Sequence, residues 1–388
     1  MRICMIAYTH YPSDSRVRRE AEALASRGDA VDVLSLRKPG EKAIDRLAGV
    51  RVLQVWAGRY RGSNPVIYLA SYFAFFTLAM IYATVLQLRH HYQIVQIHTM
   101  PDFMVFAAIV PKVLGAKVIL DVHDLMPELY QSKFGLGEQH WLIRLILWTE
   151  RQSVRFADRA IAVNRTHLQT LIDHGNPGRK FVIILNVPDP GLFRESALAR
   201  SNGHRGFRVM YHGTVAVRHG LAVALHAIAA VKDEIEGLTF RIVGEGDALA
   251  DLVKLASELK LTESVEFRGA VPLEHLAPLI LEADIGVVPL LSDQFTRNML
   301  PVKLLEYVAL GLPVICSRTD TIAYYFDDSM VQFCSPGNVG QLAEAILSLY
   351  RSQSKRAQLA MEAGQFNRKH NWAAEKLRYC QLIDELAR

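Results

Sequence analysis

A chain of 388 residues exceeds what one hydrophobic core normally organises, so two or three domains are expected. Hydrophobic residues at 51% and charged residues at 21% are globular proportions, which exclude a disordered or fibrous chain. The net charge of +5 permits attraction to phosphorylated partners or anionic membranes, but no dense basic clusters carry interleaved aromatics, so no nucleic acid is expected as a partner. Cys4, Cys316, Cys334 and Cys380 are scattered without metal-ligand spacing, and a reducing cytoplasm is the expected setting.

Residues 2–8 read as a short apolar strand, 13–27 as a helix closed by Gly28, and 30–36 as a second strand. The alternation continues through a strand at 50–56, an apolar run at 62–88, a strand at 94–98, a helix after Pro101 and a strand at 116–123. A helix at 141–157 and strands at 159–163 and 180–185 follow. The run 62–88 has no charged residue and is long enough to span a bilayer. A span there would split one sheet between two compartments, so the readings left are a helix buried on the sheet and one touching the membrane interface through residues 65–88. The pattern stops in a Pro-rich stretch at 185–193 and a polar one at 199–206, which places a domain boundary.

A second alternation begins with a strand at 207–212, a helix at 219–232, a strand at 238–243, a helix at 248–259 and a strand at 265–268. It continues with a helix at 273–282, a strand at 285–289 and the run TRNMLPVKLLEYVALGLPVICS at 296–317. Two doubly wound α/β domains in tandem follow: an N-terminal domain at 1–190, a linker at 191–206, a C-terminal domain at 207–370, and a final amphipathic helix at 371–388 that can pack back on the first domain.

In open parallel sheets ligands bind beyond the C-terminal strand ends, and the residues there are polar. His10, Asp14, Arg16, Arg18 and Arg19 follow the first strand; His98 ends one strand, with Asp102 beyond it; His123 and Asp124 end the next. In the second half, HGTVAVRHG sets Gly213, Arg218 and Gly220 at a turn into a helix, the outline of a phosphate site, although it is neither a Walker loop nor a GxGxxG turn. Gly244 and Gly246 fit a turn at least as well as a ligand loop. In the run 296–317, Pro301 suits a first helical turn and Gly311 a left-handed cap, giving a helix of about three turns. Lys303 and Glu306, three apart, share a face near the helix start, which fits either a surface ion pair or an anion site.

The start MRICMIAYTHYPSDSRVRREAEALASRGDAVDVL, the run DVHDLMPE, LNVPDP, YHGTVAVRHGL, IVGEGD, LPVKLLEYVALGLPVI and Trp372, in this order, resemble the family 4 (group 1) glycosyltransferases. That resemblance implies a GT-B architecture, two Rossmann-like domains facing a central cleft that closes by domain rotation. It implies retaining transfer of a sugar from a nucleotide-diphosphate donor of UDP or GDP type, with no cofactor and no obligatory metal. The acceptor it implies is a glycan; the apolar helix and the arginines after the first strand point to a lipid-linked, phosphate-bearing one. Carried over by position, Glu306 holds the ribose hydroxyls, Lys303 and Arg218 the diphosphate, and His123 the transferred sugar. Gly213, Thr214, Asn298 and Leu300 line the donor, and His10, Arg16, His98 and Asp102 the acceptor. Three positions depart from the family pattern. Asn298 stands eight residues before Glu306 where the family has a first glutamate, and Thr214 and His219 replace the usual Arg and Lys of the phosphate turn. A nucleotide-sugar 2-epimerase and a non-catalytic nucleotide-binding relative share this architecture.

Overall fold

The computed structural model describes residues 1–57, 65–193 and 206–388, with side chains described from residue 70 onward in the first long helix. Most of the expected linker, 194–205, and the start of the apolar run, 62–64, lie outside the described residues. The chain forms two compact units, Met1–Asn186 with Ala373–Arg388, and Val187–Trp372.

The first unit opens with β1 (Arg2–Ala7), α1 (Ser15–Ser26), β2 (Ala30–Leu36), β3 (Ile44–Leu47) and β4 (Val50–Val55). The helix α2 (Pro65–His90) leads to β5 (Ile94–His98), a 3-10 segment at Asp102–Ala108, α3 (Ile109–Val113) and β6 (Lys117–Val122). Then come α4 (Met126–Phe134), α5 (Trp141–Phe156), β7 (Arg159–Ala162), α6 (Arg165–Asp173) and β8 (Phe181–Ile183). Its strands pair in the order β3-β4-β2-β1-β5-β6-β7-β8, parallel except for β3 against β4. The second unit holds β9 (Arg208–His212), α7 (Leu221–Val231), β10 (Thr239–Val243), α8 (Leu249–Glu258), β11 (Val265–Arg268), α9 (Leu276–Leu281) and β12 (Ile285–Val288). It continues with α10 (Val302–Ala309), β13 (Val314–Ser317), α11 (Asp320–Tyr325), β14 (Gln332–Cys334), α12 (Val339–Arg351) and α13 (Gln353–Lys369). Its sheet is parallel throughout, in the order β11-β10-β9-β12-β13-β14. The last helix, α14 (Trp372–Ala387), belongs almost wholly to the first unit.

Near-continuous apolar strands are what a sheet covered on both faces requires. In β1 alternate residues go to opposite cores: Ile3 and Met5 pack with Val17 and Leu24 of α1 and with Tyr379 and Leu382 of α14. Cys4 and Ile6 pack on the other face with Phe75, Ala79 and Ala83 of α2. The inner stripe of α2 thus holds the sheet, even though Ala70–His90 is long and apolar enough by composition to cross a membrane. The C-terminal helix is pinned by polar contacts as well. Tyr379 donates to Gln96 at 2.6 Å, Gln96 donates to Glu20 at 2.7 Å, and Glu375 accepts the Leu185 N–H at 3.0 Å.

Several elements differ from the expectations. The helix expected after Pro101 is a 3-10 segment followed by the short α3. The antiparallel β3 joins β4 through Ala48 and Gly49, both at positive φ (48° and 85°), a two-residue hairpin turn without the usual Asn-Gly signal. The helix α10 runs eight residues, about 12 Å, not three turns, because Pro301 stays extended as its N-cap. Its far end is closed as expected: Gly311 has φ 67°, the Leu312 N–H reaches the Tyr307 carbonyl at 2.9 Å and the Gly311 N–H that of Val308 at 3.1 Å.

A buried ionic knot joins α4, α5 and the loop after α6. His174 contacts Glu128 at 3.0 Å and Glu150 at 3.0 Å, and Asn176 donates to Glu150 at 2.6 Å. Burial opposes the imidazolium, but the hydrogen bonds to the two carboxylates prevail and raise His174 to about 10. A pKa raised on folding stabilises fully below the unfolded value of about 6.5 and ceases to as pH rises through about 10. His174→Leu is therefore expected to cost about 3–5 kcal/mol at pH 6 by urea unfolding, since it strands two carboxylates. The deficit against wild type should narrow above pH 10, and an equal deficit at both pH values would contradict the charged pairing.

Candidate functional site

In the second unit the polar residues gather where β9 ends and α10 begins. Lys303 is only 8% exposed, and its ammonium donates to the Tyr211 hydroxyl at 2.6 Å while lying 3.9 Å from the centre of that ring. Burial pulls Lys303 down to about 7; Glu306, one turn on, works to keep it charged, and Arg218 works against it. Glu306 is itself 6% exposed, with His212 Nε2 3.2 Å from its Oε2 in poor alignment for a hydrogen bond. Burial, then the charge of Lys303, keeps His212 neutral, down to about 3, and the same causes with Arg218 take His219 to about 2. The Lys303–Glu306 pair is therefore a buried constellation, and the surface ion-pair reading does not hold.

Glycines make the room. Gly213 has φ 109°, and a Cβ there would come within 3.3 Å of Lys303 Cε and Nζ. A Cβ on Gly244 would meet the Gly213 carbonyl at 2.0 Å, and one on Gly246 the Val215 carbonyl at 2.0 Å, so this pair serves close stacking of the two loops. Gly220, at φ 68°, lies under the Pro289 carbonyl and opens α7. Thr214 is exposed, Arg218 is half-buried with its guanidinium 5.7 Å from the Phe295 ring, and its carbonyl accepts the Leu291 N–H at 3.0 Å. Asn298 donates to the Gln294 carbonyl at 3.2 Å, and both it and Leu300 are half-buried before α10.

In the first unit, His98 and His123 do sit on neighbouring strand ends, and the residue that joins them is Asp121. Its Oδ2 lies 2.9 Å from His98 Nδ1 and 2.8 Å from His123 Nε2, and the two ring nitrogens are 3.2 Å apart. The three side chains are 1–5% exposed. Burial would neutralise Asp121, but the two imidazoles outweigh it and hold the carboxyl far below the usual range. His98 is pushed up in return against its own burial, while burial and Asp121 push the adjacent Glu20 up to about 7. The three ligand-type atoms lie within 4.8 Å of one another, compact enough to hold a metal ion, and the hydrogen bonds among them account for the same geometry.

The remaining first-unit candidates are placed less uniformly. Asp14 caps α1 through the N–H groups of Arg16 and Val17, and Arg16, half-buried, lies 3.9 Å from it. His10 Nδ1 contacts the Leu36 carbonyl at 3.2 Å. Arg18 pairs with Glu22 at 3.1 Å and Arg19 donates to Asn186 at 2.8 Å, so both are engaged in holding the fold. Asp102 is 2% exposed, its Oδ1 has no hydrogen-bond partner, and burial followed by the charge of Glu150 pushes its carboxyl well up. Sequence reasoning passed over Asp121, Tyr211 and Tyr307. Asp121 could have been found, because it lies two residues before His123 and so faces the same side of the strand end. Tyr307 threads from α10 to β9, accepting the His212 N–H at 3.1 Å, and leaves no room for a side chain at Gly286, whose Cβ would sit 2.6 Å from the ring.

Two doubly wound sheets with polar strand ends, one of them carrying a buried cation and carboxylate, are the frame, and comparison with known proteins gives the class. Residues 206–352 match the model described as glycosyl transferases group 1, and residues 13–186 the model of a glycosyl transferase 4-like domain. The chain belongs to the group 1 glycosyltransferases of GT-B fold. Among curated relatives, the amylovoran biosynthesis glycosyltransferase AmsK of Erwinia amylovora is 27% identical over 188 residues, 48% of this chain and 46% of that protein. The GDP-mannose-dependent alpha-(1-6)-phosphatidylinositol monomannoside mannosyltransferase of Mycobacterium tuberculosis is 24% identical, over 51% of this chain and 52% of its own length. The chain thus spans about half the length of these relatives. Two solved structures share the fold over nearly the whole of both chains. Sucrose-phosphate synthase from Thermosynechococcus elongatus has a TM-score of 0.81 at 19% identity, covering 100% of this chain and 99% of that one. HepE of Anabaena in complex with UDP-glucose has a TM-score of 0.76 at 16% identity, covering 99% and 100%.

The lowered pKa of Lys303 has a measurable consequence. Its folded value of about 7 lies below the unfolded value near 10.5, so between them the unfolded chain binds more protons and stability rises with pH. The melting temperature of the unliganded protein relative to Lys303→Met is expected to climb across that window. A difference that stays flat from pH 7 to 10 would mean that the ammonium is not held at a cost.

Proposed function

We propose that this enzyme moves a sugar from a nucleotide-diphosphate sugar to a glycan acceptor with retention of anomeric configuration. The observation that carries the reading is the buried Lys303–Glu306 pair beside the open turn at Gly213. A desolvated cation there meets the diphosphate, joined by Arg218, and the Glu306 carboxylate accepts from the ribose hydroxyls. Gly213 and Thr214 let the donor approach the backbone, and Asn298 and Leu300 border its sugar. An amide at 298 cannot act as a carboxylate, so donor-sugar choice is decided at this position. UDP-glucose bound to the neighbour HepE and GDP-mannose used by the mycobacterial relative support a nucleotide-sugar donor.

In this reading His123, held by Asp121, hydrogen-bonds the transferred sugar, and His10, Arg16, His98 and Asp102 serve the acceptor side. Lys303 and Arg218 stabilise the leaving nucleoside diphosphate as the glycosidic bond breaks, work that needs no metal. No side chain is assigned as a nucleophile; the leaving phosphate faces the developing positive charge. The acceptor is a lipid-linked glycan of polysaccharide or envelope assembly on the cytoplasmic side of a membrane, consistent with the amylovoran relative and the phosphatidylinositol-mannoside relative.

Thermal-shift screening against UDP-, GDP- and deoxythymidine-linked sugars would identify the donor, since binding to the folded state raises the melting temperature. With that donor, Glu306→Ala and Lys303→Ala are each expected to cut turnover by on the order of a hundredfold, from about 3 kcal/mol for a charge-assisted contact. Activity should persist in chelator. Near-normal rates in both variants would overturn the assignment.

A further inference from the structure

The outward side of the first unit's α2 face is unlike an ordinary solvated surface. Phe73, Ile81, Tyr82, Val85 and Leu88 of α2 are between 41% and 59% exposed. On α3 and the residue after it, Val113 and Leu114 are 81% and 50% exposed. On α5, Trp141, Leu145 and Trp148 fall at i, i+4 and i+7, one helix stripe, at 68%, 48% and 56% exposure. The 3-10 segment at Asp102–Ala108 packs against both α2 and α5, and α2 packs against α3, so the three faces adjoin.

Charge on this face is predominantly positive. Between residues 65 and 117 the sole acidic residue is Asp102, and within α5 it is Glu150, and these are 2% and 1% exposed. Arg89, Arg144 and Arg155 are exposed beside the apolar residues. The half-exposed Asp158 beyond α5 is tied to Lys112 at 2.7 Å, and Glu138, in the loop before α5, is the exposed exception. Exposed tryptophans and aliphatic residues together with exposed arginines are the composition that suits a bilayer interface and its anionic headgroups.

We propose that the α2–α3–α5 face docks on an anionic phospholipid bilayer, with α2 lying along the interface instead of crossing it. A crossing is excluded by the inner stripe of α2, which is packed into the sheet. A second copy is a poorer occupant, because a two-fold pairing of this face would bring arginines together with almost no carboxylates to meet them. The inference extends the lipid-linked acceptor reading, but its test uses bare vesicles without donor or acceptor, so either can fail alone.

The experiment is flotation of the full chain with vesicles of phosphatidylethanolamine and phosphatidylglycerol, against vesicles of phosphatidylcholine. Binding is expected to the anionic vesicles, weakening with salt. The double variant Trp141→Glu, Trp148→Glu should lower the bound partition coefficient by about tenfold or more. Charge removal by Arg89→Gln, Arg144→Gln, Arg155→Gln should lower it by about a hundredfold on anionic vesicles, from about fivefold per charge. Leu377→Glu, an equally exposed apolar position on α14, should change nothing. Circular dichroism checks folding of each variant, and the arginine series stands should the tryptophan pair misfold. Failure of wild type to float, wild-type flotation by either multiple variant, or a concentration-dependent dimer that the tryptophan variant dissolves would each overturn the proposal.

Discussion

An ammonium taken out of water must be given partners, and in the second unit the demands of Lys303 set much of what surrounds it. Tyr211 supplies both a hydroxyl at 2.6 Å and a ring face at 3.9 Å, and Glu306 stands on the next turn of the same short helix. Gly213 suits a glycine because its φ of 109° strains any side chain, and a Cβ there would also crowd Lys303 Cε and Nζ at 3.3 Å. Gly244 and Gly246 then let the neighbouring loop stack on that turn. Even with these partners burial leaves the ammonium near neutrality, at about 7. A site that holds a cation at a cost gains most when an anion arrives, which is the physical reason to read it as the hold on a diphosphate.

The first unit repeats the same logic with the sign reversed. There a carboxylate, Asp121, is buried between two imidazoles, and its charge fixes the ring planes of His98 and His123 at the ends of β5 and β6. On the opposite side from α1 and α14, the apolar outer face of α2, α3 and α5 is exposed among the described residues.

The parallel strands were legible because they are buried on both faces and read as apolar runs between turn residues; β1, β5, β6 and β9 lie within a residue or two of their expected limits. So was the Gly311 stop, since a left-handed cap followed by proline has few other readings. The hairpin at Ala48–Gly49 was not, because alanine in a left-handed turn carries no local signal. Burial of Lys303 was also hidden: an i,i+3 Lys–Glu pair looks the same in sequence on a solvated helix, and only Tyr211, 92 positions away, decides between them. The arginines after β1 show the converse, since three similar residues in sequence separate into one beside Asp14 and two engaged with Glu22 and Asn186.

The most direct test of the Lys303 hold is calorimetric. Titrating a nucleoside diphosphate at pH 8 in two buffers of different ionisation enthalpy reports the protons taken up on binding. With Lys303 largely neutral before binding and charged after it, uptake approaching about one proton is expected, and its loss in Lys303→Met. Binding with the same heat in both buffers would contradict a diphosphate seated on this lysine.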